Sequence, residues 1–182
     1  MEIYEGFDYY HLSYPKVTVI VTCGTFEKPN ALAVSWHTYL SFEPPLYGIS
    51  IAPRRYSHNL IEKYGEFGVN FLPFEKSELV WKVGSVSGRN VNKFEKFNIK
   101  TFKGKVIKAP LIADSISAFE CVVIDKFRVG DHTFFVGEIK VAWYRKDLFE
   151  SGLLKPEKVS QAYYLGEGVF IALDPKKIIK LL

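Results

Sequence analysis

The chain has 182 residues, 48% hydrophobic and 24% charged, with a formal net charge of +4 and a pI near 8.9. That balance fits one globular domain, residues 1–182, large enough to bury its own core. The positive charge is mild and dispersed apart from Lys176, Lys177 and Lys180, so the basic stripe of a nucleic-acid binder is missing, and no apolar run approaches the roughly 20 residues that span a bilayer.

Aromatic residues stand out at 16%, with 15 Phe and 11 Tyr, which favours strands because rings pack well on a pleated surface. The first ten residues are acidic and aromatic where a signal peptide is basic and then apolar, so a cytoplasmic protein is expected. Lys16 to Cys23 is rich in β-branched residues and stops at Gly24, which predicts a strand. Asn30 to Phe42 follows a Lys28-Pro29 turn, Pro44-Pro45 breaks the chain, and Leu46 to Ala52 reads as another strand, so an antiparallel meander is expected. Ser57 is placed to cap a helix over His58 to Tyr64 that Gly65 ends, and Ser77 to cap Glu78 to Val83, closed by Gly84. Between them Phe67 to Phe71 reads as a strand. Ala118 to Val129 and Thr133 to Tyr144 predict a long hairpin, because Gly130-Asp131 suits a tight turn. A last strand is expected within Gly168 to Leu173. Short strands with helices only as inserts predict a mainly β, closed or nearly closed barrel.

The chemistry of hydrolases and metal enzymes is not legible here. Gly-x-Ser-x-Gly, HExxH and the phosphate-loop pattern are absent, and His11, His37, His58 and His132 form no i, i+4 pair. Cys23 and Cys121 lie far apart inside apolar runs and read as reduced core thiols. Glu120, Asp125, Asp131 and Glu138 sit on the predicted hairpin, where charges usually face water.

Four stretches, in order, resemble the flavin reductase-like family with the FMN-binding split barrel. The first runs from Pro15 to Cys23 through Lys28-Pro29-Asn30-Ala31 and Ser35-Trp36 to Ser41-Phe42-Glu43-Pro44-Pro45. The second is Arg54-Arg55-Tyr56-Ser57-His58-Asn59-Leu60-Ile61 with Gly65 to Asn70, and the third Gly84 to Arg89 with Asn92-Lys93-Phe94. The fourth is Glu120-Cys121, Gly130-Asp131-His132 and Val136-Gly137-Glu138. Two positions depart from the family pattern: Asn92 stands where Asp is usual, and Glu167 intrudes on a usual Gly in Tyr164-Leu165-Gly166-Glu167-Gly168.

The resemblance implies a split β-barrel, Greek-key-like, with a few short helices and non-covalently bound FMN. It further implies a homodimeric NAD(P)H-dependent flavin reductase that passes hydride from nicotinamide to flavin and on to free flavin or another acceptor. Such a reaction needs no protein nucleophile, because the cofactor carries the chemistry. A flavin-binding electron carrier without a nicotinamide site, and a relative that binds another ligand such as pyridoxal phosphate or haem, stay open.

From local sequence, Arg54, Arg55 and Ser57 are either surface arginines with an ordinary cap or an anion site at a helix N-terminus. The resemblance points them at the FMN phosphate. Ser35 and His37 are expected on one strand face with Trp36 and Thr38 on the other. Given the resemblance, backbone N–H groups of this stretch are expected to bond the pyrimidine edge of the flavin, with Trp36 as plain core filler the alternative, and Asn30 and Ala31, in the turn before it, to touch the ring or ribityl chain. Ser87, Gly88, Arg89 and Lys93 read as a polar, flexible segment; the resemblance has such a segment close over the phosphate side, often from across a dimer interface. His132, exposed beside the hairpin turn, is implied to position the nicotinamide.

Overall fold

In the computed structural model, which describes residues 1–179 and 181, the chain is mainly β; Lys180 lies outside the described residues. After a 3-10 turn at Tyr9–Ser13 come β1 (Lys16–Val17), β2 (Val19–Gly24), β3 (Pro29–Val34), β4 (His37–Phe42), β5 (Pro45–Ile51) and helix α1 (Tyr56–Tyr64). Strand β6 (Glu66–Phe71), helices α2 (Ser77–Ser85) and α3 (Lys93–Lys96), and the short pair β7 (Thr101–Lys103) and β8 (Pro110–Ile112) follow. The long hairpin β9 (Ser117–Val129) and β10 (His132–Tyr144) precedes β11 (Phe149–Glu150), β12 (Leu153–Leu154), β13 (Tyr163–Gly166) and β14 (Val169–Ile171).

Seven strands form one antiparallel sheet in the order β3-β2-β6-β9-β10-β5-β4. The sheet curls until β3 approaches β5, and the Ser50 amide, donating to the Trp36 carbonyl at 2.9 Å, carries the β4-β5 ladder back to the bend that follows β3. This is a split barrel. Strand β2 is buried throughout because both its faces are covered. Val19, Val21 and Cys23 join Tyr47, Ile49, Phe67 and Phe135 in the barrel core. Ile20 joins Val80, Val83 and Ile112 in a second core under α2.

The predicted hairpin is present, with Val129 opposite His132 and Gly130 at φ +58° in the turn. Gly65 ends α1 at φ +67°, as expected, its amide donating to the Ile61 carbonyl. Other expectations need correction. The run Asn30 to Phe42 is two strands at opposite edges of the sheet, because the chain bends at Ser35-Trp36, so β2-β3 and β4-β5 are separate hairpins and no meander forms. Arg55, not Ser57, is the N-cap of α1, and Ser77 opens α2 as its first residue with its hydroxyl donating to the Phe74 carbonyl at 2.6 Å. Gly84 sits inside α2, which ends at Ser85. The final strand is shorter than expected, and β13 pairs with β1 to tie the two ends of the chain together. Glu167 takes a left-handed backbone at φ +51° between Gly166 and Gly168, which is the conformation glycine adopts without a Cβ penalty.

Cys23 and Cys121 are buried free thiols. Glu120 overturns the reading of the hairpin carboxylates as solvated. It is fully buried, and its carboxylate accepts from the amides of Lys105, Val106 and Ile107 at 2.9, 2.7 and 3.0 Å and from Trp143 Nε1 at 2.7 Å. Glu66 extends the same grip, accepting from the Lys108 amide. Asp125 is exposed as expected, and Glu138 pairs with Lys140 at 2.6 Å.

Candidate functional site

Strand β3 is a sheet edge, bonded to β2 on one side only. The Asn30 carbonyl points toward β2, where Cys23 Sγ donates at 3.8 Å, whereas the Ala31 carbonyl points outward and accepts from Lys93 Nζ at 2.7 Å. By the two-residue alternation, Ala33 also turns its N–H and C=O to the open edge. Along this edge, in the split of the barrel, runs a groove in two joined halves.

One half, about 180 Å³, is walled by Leu32 to Trp36, Ser50 to Ala52, Tyr14 and His132. Trp36 Nε1 donates to the Tyr14 hydroxyl at 3.1 Å, and the Trp36 and His132 ring centroids are 4.9 Å apart. His132 is bonded through Nδ1 to Asp131 at 2.6 Å, and that contact holds the Asp131 carboxyl below its ordinary range. The imidazole therefore folds onto Trp36 and does not stand free beside the turn, as the sequence led us to expect.

The other half, about 340 Å³, gathers Asn30, Arg54, Arg55, Ser57, Ser87, Gly88, Arg89 and Lys93, with Leu32, Arg55 and Gly84 bordering both halves. Ser57 is buried in the first turn of α1, where its hydroxyl accepts from Asn30 Nδ2 at 2.7 Å. A Cβ on Gly88 would stand 2.0 Å from Asn30 Oδ1, so only glycine lets this backbone close against Asn30. Arg89 stacks over Tyr56 and donates to the Arg54 carbonyl at 2.9 Å. Among the described residues, neither Arg54 nor Arg55 is in an ion pair, and no carboxylate lines either half. Four cations and the N-terminus of a nine-residue helix make this half an oxyanion site in its chemistry.

Lys93 corrects a further expectation. It is not part of a flexible loop reaching across an interface but is 3% exposed, with Nζ donating to the Ala31 and Val83 carbonyls of its own chain, each at 2.7 Å. Burial pushes its ammonium down to about 8, with the Cys23 thiol opposing and Arg55 adding to the shift. Burial likewise pushes Cys23 up to about 12, against hydrogen bonds from Ser57 and Asn30.

Ser35 and Trp36 line the first half, but Ala31, His37 and Thr38 line neither. Ala31 acts through its carbonyl on Lys93. His37 is locked into the wall, Nε2 at 2.8 Å from the Val17 carbonyl and Nδ1 at 2.6 Å from the Tyr47 hydroxyl. Burial lowers its pKa against the Val17 hydrogen bond. Thr38 is exposed on β4. The bend at Ser35-Trp36 breaks the expected alternation, and Ser35 instead pairs its hydroxyl with that of Thr18 at 2.7 Å. Tyr14, Leu32, Ser50 and Ala52 were not singled out from the sequence. Ser50 and Ala52 lie just upstream of Arg54-Arg55, so the continuity of that block is the one signal that pointed to them.

The sequence model of the flavin reductase like domain matches residues 11–163. The chain belongs to this family. An uncharacterized protein from Pyrococcus abyssi is 36% identical over 143 residues, covering 79% of this chain and 82% of that one. The crystal structure of an FMN-binding protein from Thermus thermophilus with bound 1-cyclohex-2-enone has 31% identity and a TM-score of 0.85, over 99% of this chain and 97% of that one. The NADH-dependent FAD reductase of Streptomyces globisporus is 27% identical over 144 residues, 76% of this chain and 78% of its own length. Every residue that lines the groove, from Tyr14 to His132, lies within the matched residues.

Proposed function

We propose that the chain is a flavoprotein that holds FMN non-covalently in this groove and works as an NAD(P)H-dependent flavin reductase. The observation that carries the reading is the charge of the groove: one half offers four cations and no carboxylate, the other sets Leu32, Val34, Ile51 and the Trp36 ring beside an open strand edge. These residues fit FMN. Arg54, Arg55, Arg89 and Lys93 would hold the phosphate, and the outward N–H and C=O of Ala33 would meet the polar edge of the ring. When bound, FMN supplies a ring that accepts hydride from a reduced nicotinamide and releases electrons to free flavin or another acceptor. The chain's own part is to bind, orient and shield. Family membership, the FMN-binding protein of Thermus thermophilus and the NADH-dependent reductase of Streptomyces globisporus support the reading.

We also propose that the protein works as a single domain and a cytoplasmic homodimer. Ile124, Phe127 and Val129 are exposed along the outer half of β9, an apolar strand surface that a second copy would cover. Among the described residues, no helix is long and apolar enough to cross a membrane. Light scattering at micromolar concentration tests the dimer, and a monomer that binds FMN would remove it.

Purified protein should show flavin absorbance, and its oxidation of NADH or NADPH should rise with added free flavin. Flavin binding without nucleotide oxidation would leave a carrier.

Lys93 makes a pH test available. FMN affinity should fall by about tenfold as pH rises through and above 8, because neutralising the ammonium removes one charged contact. Riboflavin, which lacks the phosphate, should show no such fall. A Lys93→Met variant should bind FMN weakly at every pH; a pH profile like that of the wild type would exclude Lys93 as the titrating group.

His132→Ala should keep FMN affinity, since the imidazole lines the half of the groove that Arg54, Arg89 and Lys93 do not reach. Reduction by NAD(P)H should slow by roughly tenfold, about 1.4 kcal/mol of lost positioning, while dithionite still reduces the flavin normally. Unchanged reduction by both nucleotides would discard this role.

A further inference from the structure

A second cavity adjoins the groove. It measures about 300 Å³ and lies between α2 and the β13-β14 hairpin, walled by Trp81, Tyr164 and Phe170, with Thr18, Ser35 and Arg55 at its polar end. Trp81 is 46% exposed, so a large indole stands half in water on a helix whose other face is well packed. The Trp81 and Tyr164 ring centroids are 6.5 Å apart with their planes inclined at 34°, so two aromatic surfaces border the same cavity. Phe170 backs Tyr164 at 5.0 Å. The tight turn Gly166-Glu167-Gly168 holds this wall, with the Gly168 amide donating to the Tyr164 hydroxyl at 3.4 Å.

The polar end is equally definite. The Thr18 and Ser35 hydroxyls, 2.7 Å apart, leave one proton and free lone pairs to offer, and the Arg55 guanidinium has no ion-pair partner among the described residues. No carboxylate lines the cavity. Ala33, Ser35, Arg55 and Gly84 also border the first half of the groove, so a molecule here would lie beside whatever the groove holds.

We infer that this cavity is a second-substrate pocket for a flat aromatic molecule bearing an acidic group, its ring packed against Trp81 and Tyr164 and its acid on Arg55 and the hydroxyl pair. The inference rests on the proposed flavin groove only for the word substrate; the binding site stands on its own walls. It makes Trp81 and Tyr164 specificity residues for an electron acceptor, distinct from the cations that would hold the cofactor. A planar guanidinium with several donors can serve both an acid here and a phosphate in the groove.

Calorimetric titration with naphthoate, and with neutral naphthamide, tests it on protein free of FMN and on protein saturated with FMN. One naphthoate should bind in both states, and naphthamide about tenfold more weakly, the usual order of a charge-assisted contact. Trp81→Ala should weaken naphthoate by about tenfold while FMN affinity stays at the wild-type value, and Trp81→Phe should restore most of the loss. Tyr164→Leu, on the opposite wall, guards against a folding defect in α2 and should weaken naphthoate likewise. Displacement of naphthoate by FMN, or wild-type naphthoate binding in both wall variants, would overturn the pocket. Equal binding of acid and amide would overturn its polar end. A protein that binds naphthoate but no FMN would refute the flavin reading and leave this pocket standing.

Discussion

Replacing Arg54 and Arg55 together by alanine is expected to weaken FMN binding by about a hundredfold or more and to leave riboflavin binding unchanged. Each hydrogen bond to a charged group is worth roughly 1.5–3 kcal/mol, and two of them lost at the low end already amount to about a hundredfold. Both arginines are exposed, so salt screens them, and the loss should shrink as ionic strength rises. Arg55 alone should cost more than Arg54 alone, because Arg55 borders both halves of the groove whereas Arg54 lines only the second. Fluorescence titration of the two flavins at low and high salt separates these effects. Equal loss for FMN and riboflavin would mean that the arginines hold the ring or the fold, and no loss for either would empty the oxyanion half of its assigned ligand.

Much of this site was legible because its signals are local. A paired arginine before a helix start, a glycine beside polar residues and a Gly-Asp turn between long apolar runs each keep their meaning wherever the fold puts them. The resemblance then tied them into one groove. What could not be read depends on partners distant in sequence. Nothing around Ser35-Trp36 marks a bend, since neither Gly nor Pro stands there, so β3 and β4 read as one run. Lys93 lies in the charged segment Asn92-Lys93-Phe94-Glu95-Lys96 and reads as solvated, yet carbonyls of β3 and α2 hold it inside. His37 looks like a site residue until the Val17 carbonyl and Tyr47 hydroxyl are seen to use both its nitrogens. Glu120 is the largest such case, because a carboxylate on a hairpin is ordinarily in water.

Glu120→Ala should therefore be among the most damaging single changes outside the groove, costing about 3 kcal/mol or more of folding stability. The side chain is fully buried and satisfies four donors at once, three consecutive amides of residues 105–107 and the Trp143 indole. Stranding a buried donor costs roughly 1–3 kcal/mol, and water entering behind the smaller side chain recovers part of the sum. Glu120→Gln is the sharper test. Its amide oxygen accepts as before, but its NH₂ faces donors that the second carboxylate oxygen had satisfied, so it should lose stability almost as alanine does although its shape is kept. Burial raises the Glu120 carboxyl, yet the hydrogen bonds from Lys105, Ile107, Trp143 and Val106 outweigh it and leave the pKa below the ordinary glutamate value. A depressed folded pKa means that the ionised carboxylate's contribution is complete above the unfolded value near 4.5 and is lost as pH falls through the folded one. The wild type should lose stability over that acid range, and Glu120→Gln, having no proton to take up there, should lose less over the same range. Urea unfolding at neutral pH and at pH about 3 measures both expectations. A wild-type midpoint for Glu120→Gln at neutral pH would show that the amides of residues 105–107 find other acceptors and that Glu120 is not what holds the loop.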